Sequence, residues 1–466
     1  MKFRTSICIF SFLLSICLLL TACGQNASVG LVNAQINDRG ELVLIYDNGK
    51  EQNLGVVVGR DGVDGVDGVD GLDGKDGLNG KDGKDGKDGK DGANGNNGST
   101  VITGSSGDIT AASAKGLRSA VRIICDFTAT VNQGGYWPGY GGGSTTEEYS
   151  SEGSGVIYQL DKETGDAFII TNYHVVYDSS SNSPNGISEN INIYLYGSET
   201  EEQAIAATYV GGSLYYDIAV LRVDGSQLLK DSEAIAVTIA DSNALQVGQV
   251  AIAIGNAQGL GISTTSGVIS VDSEYIDMTG ADGRTSVSFR VMRVDTAINS
   301  GNSGGGMFND QGELIGIVNA KIVYDGVENI GYAIPSNVAI AIANNIIDYC
   351  YNTELNRVQR AMLGITLDTT NSRSVYDAEN GTLTIVKTVS IHEVNSGSLT
   401  DGVLQAGDVL LSATANGQTI EITRQYHVID LMLAVREGDV VSFVLLRDGQ
   451  QETVSVTITA DCLTAY

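Results

Sequence analysis

The chain has 466 residues, enough for two or three domains with buried cores, and a formal net charge of −29 at pH 7. This acidic balance disfavours a nucleic-acid partner, because nucleic-acid binding requires a basic surface. Six cysteines and three histidines are spread along the chain without any Cys-x-x-Cys pair, so a zinc site is also disfavoured.

Residues 1–22 are typical of a secretory signal peptide. Lys2 and Arg4 form a short basic region, and the apolar run at residues 7–20 is too short to span a membrane comfortably. The run leads into Leu-Thr-Ala-Cys, which resembles a bacterial lipobox and predicts a lipid on the Cys23 thiol. We therefore expect an exported protein that is anchored to the extracytoplasmic face of the cell membrane through Cys23. The alternative is an ordinary signal peptide followed by an incidental cysteine.

Residues 23–58 contain the lipid anchor and a small β segment. The stretch ELVLIY alternates like a strand, and the following DNG is a hairpin signal. A sheet of this size is marginal in isolation, so the segment either packs against copies of itself or is only marginally stable.

Residues 59–98 form a collagen-like repeat, because every third residue is glycine. This period is the steric requirement of a triple helix, in which only glycine fits at the crowded axis. The repeat contains no proline, and Lys–Asp pairs between chains could offset part of the lost stability. A three-chain stalk is favoured over the alternative of a flexible acidic linker.

Residues 99–115 are predicted to be a linker, and residues 116–350 a β-rich domain. Short alternating segments such as SGVIYQL, DIAVLRV and SFRVMRV recur with few helices between them, which favours a sandwich or barrel. The Gly/Tyr/Ser-rich residues 132–153 are expected to be a mobile loop. Residues 336–352 show helical periodicity and are expected to close the domain.

Residues 351–466 are predicted to be a second, smaller module with several strands. Its one helix candidate is QYHVIDLMLAV, on which His427 is expected to be exposed. Cys125, Cys350 and Cys462 remain after the signal segment and Cys23 are set aside, and no pairing among them can be assigned.

The stretch NSGNSGGGMF places Ser303 among four glycines, between two strand-like segments. The simplest interpretation is a flexible turn, and the alternative is a nucleophile turn whose bare backbone admits a substrate carbonyl. A serine nucleophile needs a base and a group that orients the base. His174 is the only histidine of residues 116–350, and Asp217 directly precedes an apolar strand. Each residue by itself has a structural explanation, but their order matches that of chymotrypsin-type β-barrels.

The segments TNYHVV, DIAVLRV, GNAQGLGISTTSGVIS and DTAINSGNSGG together resemble the HtrA (Deg) family of serine proteases. The resemblance implies a mainly β fold, with a chymotrypsin-like double β-barrel over residues 116–350. It also implies a PDZ-like β/α module over residues 351–466, where RAMLGITL and GVLQAGDVLLSATANGQTI are similar to that domain. A Rossmann interpretation of AIAIGNAQGLG is disfavoured, because a strand rather than a helix follows its glycines.

The family resemblance also implies roles for individual residues. Ser303 would attack the peptide carbonyl, His174 would act as general base and then acid, and Asp217 would orient His174. The amides of Gly301 and Ser303, with Asn302 shaping the turn, would form the oxyanion hole. The residues expected to line the apolar specificity pocket and pair with the substrate are Ile298, Val318, Asn319 and Ala320. Those expected to bind a peptide C-terminal carboxylate in the second module are Met362, Leu363, Gly364 and Ile365.

These expectations describe an exported, lipid-anchored serine endopeptidase that degrades unfolded or damaged proteins at the cell envelope. It is expected to be a homotrimer, since both the family and a collagen helix favour three chains, and no metal or organic cofactor is implied. Two alternatives come from other classes of protein. One is a catalytically silent, peptide-binding scaffold, and the other is a surface protein whose collagen-like segment is its function.

Overall fold

The computed structural model describes residues 31–37, 41–56, 108–132, 144–198, 200–319, 330–352 and 358–465. The predicted lipidation site Cys23, the whole collagen-like repeat (59–98) and Ala320 lie outside these residues. The chain divides into two compact units, Met1–Asn94 and Gly95–Tyr466. No helix in the described residues is long and apolar enough to cross a bilayer.

The described part of the first unit is a three-stranded antiparallel sheet with β2 in the centre. Its strands are β1 (Leu31–Ile36), β2 (Glu41–Tyr46) and β3 (Glu51–Val56). The predicted turn between β2 and β3 is confirmed, because Gly49 has φ +77° and its amide donates to the Tyr46 carbonyl at 2.9 Å. Such a φ favours glycine, which explains the DNG sequence.

The second unit begins with a helix inside the segment predicted to be a linker. Helix α1 (Ile109–Leu117) starts where the Asp108 carboxylate accepts hydrogen bonds from the amides of Thr110 and Ala111. Asp108 is therefore a conventional N-cap. Gly116 lies against the second barrel, since a Cβ there would approach the Ile254 side chain to 2.6 Å. The helix is ordered by this contact, which the small-residue composition of the segment did not reveal.

Two six-stranded antiparallel barrels follow, which confirms the predicted double-barrel fold. The first closes in the order β4-β5-β6-β9-β8-β7 and the second in the order β10-β11-β12-β15-β14-β13. The strands of the first barrel are β4 (Ala120–Asn132), β5 (Ser144–Asp161), β6 (Asp166–Thr171), β7 (Asn190–Leu195), β8 (Ile205–Ser213) and β9 (Ile218–Val223). Those of the second are β10 (Val250–Gly255), β11 (Ser263–Thr279), β12 (Ser286–Val294), β13 (Gly306–Phe308), β14 (Leu314–Val318) and β15 (Gly331–Pro335).

The expected mobile loop at residues 132–153 is in large part a strand. Residues from Ser144 onward pair with β4 in an unbroken antiparallel register that reaches Asn132 opposite Ser144. The expectation was wrong for this portion because a long strand partner outweighs a poor local composition. Residues 133–143 lie outside the described part of the chain.

Short helices connect the strands, and one of them, Ser336–Ile346, also contacts the helix of the C-terminal module. They are α2 (Tyr173–Val176), α3 (Gln227–Asp231) and α4 (Ser336–Ile346), with 3₁₀ turns at Pro184–Gly186, Glu201–Gln203 and Ala257–Gly259. The predicted closing helix is confirmed as α4, which continues as a π-helical segment, Ile347–Asn352. Its buried face joins a core cluster that contains residues of both barrels, among them Val156, Ile170, Ile254 and Phe308.

The C-terminal module is a small sheet covered by one helix. Its elements are β16 (Gln359–Ala361), β17 (Ile365–Asp377), β18 (Thr382–Val394), β19 (Val409–Ala415), β20 (Gln418–Glu421), α5 (Gln425–Ala434), β21 (Val440–Arg447), β22 (Gln450–Thr457) and β23 (Leu463–Ala465). Strands β17 to β22 form one sheet in the order β17-β18-β19-β21-β22, with β20 on β19.

Helix α5 attaches this module to the second barrel. Arg290 on β12 is almost fully buried and donates to the buried Asp430 carboxylate on α5. The Arg290 guanidinium also lies 4.2 Å from the centre of the Tyr426 ring, a cation–π contact. Next to this pair, Arg424 donates to Asp272 of β11 at 2.9 Å. The module is therefore attached to the barrel through paired charges as well as apolar packing.

Candidate active site

His174 and Asp217 form a hydrogen-bonded pair at the edge of the first barrel. His174 lies on α2, and its Nδ1 is 2.6 Å from Oδ2 of Asp217. The His174 amide donates to Oδ1 of the same carboxylate at 2.9 Å. Because the carboxylate contacts Nδ1, the ring is oriented with Nε2 as the nitrogen left to accept a proton from a substrate or nucleophile.

The Asp217 carboxylate is held rigidly in a buried position. Asp217 is 5% exposed and has φ +53°, an unusual conformation for a residue other than glycine. Its backbone carbonyl accepts a hydrogen bond from Nδ2 of Asn172 at 2.8 Å, and Oδ2 accepts another from Nδ2 of Asn319 at 2.8 Å. These contacts support a strained conformation of the kind that is concentrated at functional sites.

Tyrosine side chains beside His174 are neutral. Tyr173 stacks on Tyr177 with ring centres 5.0 Å apart. Burial raises the pKa of Tyr173 to about 12, and burial also raises the pKa of Tyr209. At neutral pH the phenols of Tyr173 and Tyr209 are therefore uncharged.

The turn that carries Ser303 is built on glycines that no other residue could replace without movement. Gly301 and Gly304 have φ +92° and +82°. A Cβ on Gly301 would lie 2.1 Å from the Asn256 carbonyl oxygen, and one on Gly304 would lie 2.2 Å from the Ser154 carbonyl oxygen. The simplest interpretation, a flexible surface turn, does not fit this packing, and Ser303 itself is only 6% exposed.

Two amides of this turn are left without partners. Among the residues that the structure describes, neither the Gly301 amide nor the Ser303 amide donates a hydrogen bond. The carbonyls around them are occupied instead. Ser300 O accepts from the Gln258 amide at 2.7 Å, and Gly301 O accepts from the Ser154 hydroxyl at 2.7 Å. Unpaired buried amides are rare in folded proteins, so this pair can receive an external oxygen.

The His174–Asp217 pair and the turn that carries Ser303 meet between the two barrels. A Cβ on Gly304, which follows Ser303, would lie 2.9 Å from the amide nitrogen of Asn172, two residues before His174. The Gly304 amide donates to the Val318 carbonyl at 3.0 Å, and the next residue is the Asn319 that holds Asp217. The fold therefore brings the three candidate residues, which are far apart in sequence, into one place.

The predicted specificity residues are placed differently from one another. Val318 and Asn319 have fully buried side chains, Val318 in the core of the second barrel and Asn319 against Asp217. Ile298 is partly exposed and packs on this core. It also lies against Gly331, where a Cβ would approach its Cδ1 to 2.6 Å. Of the described side chains in the predicted set, Ile298 alone reaches the surface, so Val318 and Asn319 would contact a substrate only through their backbones.

The predicted carboxylate loop of the C-terminal module follows β16. The Met362 amide is occupied, because it donates to the Cys462 carbonyl at 2.8 Å. Within the described residues, the amides of Leu363 and Gly364 donate no hydrogen bond, and Gly364 has φ +72°. Ile365 begins β17, the edge strand of the module's sheet. Two of the four predicted residues thus offer free amides.

Ser154 is a site residue that the sequence analysis missed. Its amide donates to the Ser303 carbonyl at 2.8 Å, and its hydroxyl accepts from the Asn256 amide at 2.8 Å. Its carbonyl accepts from the Thr171 hydroxyl at 2.7 Å. The available signal was Gly-Ser-Gly inside a strand, since glycines in a strand often mark a close approach by another backbone.

Comparisons with known proteins match two parts of the chain to family models. Residues 153–317 match the family model described as a trypsin-like peptidase domain. Residues 57–116 match the collagen triple helix repeat, a stretch whose last residues lie in α1.

Several curated serine proteases are similar to the chain. "Serine protease Do-like HtrA" of Lactococcus lactis subsp. cremoris is 33% identical over 75% of this chain and 82% of the relative. The protein of the same name from Bacillus subtilis is 33% identical over 68% of this chain and 65% of the relative. "Periplasmic serine endoprotease DegP" of Escherichia coli is 31% identical over 70% of this chain and 60% of the relative. Among solved structures, "HtrA-type protease AlgW with decapeptide" is 25% identical, with a TM-score of 0.44 over 75% of this chain and 98% of that chain.

Proposed function

Because the chain belongs to the HtrA family of serine proteases, we propose that Ser303, His174 and Asp217 are its catalytic residues and that unfolded or damaged proteins are its substrates. The observation that carries the proposal is the Nδ1–Oδ2 contact of 2.6 Å between His174 and Asp217, beside a rigid turn with two unpaired amides.

In this mechanism His174 removes the proton from the Ser303 hydroxyl as Oγ attacks the scissile carbonyl carbon. The carbonyl π electrons move to the oxygen, and the unpaired amides of Gly301 and Ser303 donate to the resulting oxyanion. Each such donor contributes about 3 kcal/mol of transition-state stabilisation. His174 then gives its proton to the leaving amine, and water hydrolyses the acyl-enzyme by the same steps in reverse.

The proposal also covers peptide binding by the C-terminal module, the residue preferred before the scissile bond, the oligomeric state and the location of the chain. The amides of Leu363 and Gly364, beside the edge strand β17, suit the carboxylate and backbone of a peptide C-terminus. An aliphatic residue before the scissile bond suits the Ile298 surface. The chain acts as a homotrimer on the extracytoplasmic side of the membrane, anchored through Cys23.

The test is the hydrolysis of reduced casein by the purified chain, compared with two serine variants of the same turn. Ser303→Ala should abolish cleavage, whereas the control Ser300→Ala, which removes an exposed hydroxyl three residues away, should retain it. A fluorophosphonate probe should label the wild-type chain and not Ser303→Ala.

Two outcomes would contradict the proposal. Cleavage that survives Ser303→Ala would exclude Ser303 as the nucleophile. Absence of both cleavage and labelling in the wild-type chain, over a range of temperatures and with added C-terminal peptides, would favour the peptide-binding scaffold instead.

A further inference from the structure

One face of the sheet β1–β3 is apolar, buried at Leu44 (5% exposed) in the centre and exposed at Ile36 on the edge strand. Ala34 on β1 lies directly opposite Leu44 on β2, and Ile36 follows two residues later, so the three side chains share a face. Ile36 is 47% exposed. On the opposite face of the same strand, Asn33 and Gln35 are exposed and polar. The apolar–polar alternation holds on β1, whereas Val43 of β2, opposite Gln35, is also buried. On the edge strand such alternation is typical of a face that packs against another surface.

This sheet is close to the minimum size for a stable sheet in water. An isolated hairpin is marginal, and a three-stranded sheet depends on its hydrophobic face for stability. Strand β1 is also an edge strand, and besides Ile36 it exposes Val32 to 66%. An uncharged edge strand with exposed apolar residues is the kind that associates with other chains.

The sheet lies directly before the collagen-like repeat in the chain, and this position indicates that it packs against other copies of itself. Strand β3 ends at Val56, and the match to the collagen triple helix repeat begins at residue 57. A collagen-like helix consists of three chains whose glycines meet at one axis. In a three-chain helix of these repeats, three copies of the sheet would therefore be held close together at its end. Their local concentration is on the order of millimolar, as for partners joined by short tethers.

The amino-acid composition of the repeat suggests a function for the contact between copies of the sheet. The three prolines of the chain are Pro138, Pro184 and Pro335, so residues 59–98 contain none. Without proline, the extended conformation of each chain is not pre-set and the alignment of the three chains is weakly specified. A folded domain at the end of the repeat supplies that alignment.

We propose that the sheet β1–β3 is a three-chain clamp. Three copies pack their faces of Ala34, Ile36 and Leu44 together around a common axis and fix the register in which the collagen-like repeats wind. Identical residues meet at such an axis, so a charged face would repel itself, and these three residues carry no charge. This proposal rests on the three-chain state of the repeat and not on the protease chemistry.

A trifunctional maleimide tests the clamp in the full chain carrying Cys23→Ser. A thiol introduced as Ile36→Cys would face two identical thiols, whereas the control Gln35→Cys would point to the opposite face of the sheet. The native Cys125, Cys350 and Cys462 are buried, and burial raises the pKa of Cys125 to about 12, so they should not react. We expect covalent trimers on a denaturing gel from Ile36→Cys at several times the yield from Gln35→Cys. Equal yields from the two variants, or no species above a dimer, would overturn the proposal.

A second measurement uses the melting of the collagen-like circular dichroism signal. Ile36→Asp should lower its midpoint relative to the wild-type chain, and Gln35→Asp should leave it unchanged. Casein cleavage, if present, should be the same in both variants, which separates this proposal from the proposed catalytic site. Identical midpoints for Ile36→Asp and the wild-type chain would show that the sheet does not clamp the repeat.

Discussion

Substitution of Ser154 by alanine should impair catalysis without removing any residue of the proposed triad. The Ser154 hydroxyl is buried and joins two backbone groups from the second barrel. It donates to the Gly301 carbonyl at 2.7 Å and accepts from the Asn256 amide at 2.8 Å. Without it, both backbone groups would be left unpaired inside the protein. Because Gly301 supplies one of the two free amides, we expect the loss of the Ser154 hydrogen bond to displace an amide of the proposed oxyanion hole.

The magnitude follows from these two bonds. Each buried backbone group left unsatisfied costs about 1–3 kcal/mol, so the loss of both partners should lower the unfolding free energy by on the order of 2–6 kcal/mol. Loss of one oxyanion donor lowers kcat by about 10²–10³. Since Ser154→Ala displaces Gly301 rather than deleting its amide, kcat should fall by roughly 10-fold to 100-fold, with a smaller change in KM.

The assay compares kcat of Ser154→Ala and Ser119→Ala on one peptide substrate, together with their urea denaturation. Ser119 is the matched control, because it is 1% exposed and its hydroxyl also donates to a backbone carbonyl, that of Gly116, at 2.9 Å. Both variants should be less stable than the wild-type chain, but only Ser154→Ala should show the large fall in kcat. Equal kcat values for the two variants would refute the idea that Ser154 positions the turn.

Three further predictions concern buried polar groups. Asn319→Ala removes the donor to the Asp217 carboxylate, so kcat should fall about 10-fold with little change in KM. An unchanged kcat would mean that the remaining contacts of Asp217 are enough to hold its carboxylate in place. Burial raises the pKa of Asp430 despite the neighbouring Arg290, so the folded state binds its proton more tightly and stability should fall as the pH rises from 4 to 6. Asp430→Asn should flatten that part of the unfolding profile measured in urea, and an unaltered profile would contradict the assignment. Burial lowers the pKa of His427 to about 4, so the stability that the neutral ring contributes is present above pH 6.5 and is lost as the pH falls towards 4. The stability of His427→Gln relative to the wild-type chain should therefore be higher at pH 4 than at pH 7. The same stability difference at both pH values would contradict this prediction.

Local sequence was sufficient where a residue's role depends on its own backbone. The DNG turn, the helices at α4 and α5 and the glycines around Ser303 were all predicted, because turn conformation and periodicity act over a few residues. The alternating strands indicated a sandwich or a barrel for the same reason. The order of His174, Asp217 and Ser303 along the chain suggested a chymotrypsin-type β-barrel, and the segments around these residues suggested the family.

Local sequence failed where a residue's environment comes from a distant segment. His427 was expected to be exposed, but its ring is mostly buried and its Nδ1 accepts from the Thr423 amide at 3.3 Å. The expectation was wrong because α5 is covered on one side by its own sheet and on the other by the second barrel, whose Arg290 lies close enough to act on the His427 ring. No pattern within ten residues of His427 carries that second contact.

The sequence by itself determined which residues are chemically able to act, namely a serine in a bare turn, one histidine and an acid at the start of a strand. Only the tertiary structure decided how they are supported. The Ser154 hydroxyl contacts Gly301, 147 residues away, and the Asn319 amide group contacts Asp217, 102 residues away. Such contacts depend on how two barrels pack against each other, and a buried polar side chain is specified by the partner that satisfies it rather than by its neighbours in the chain.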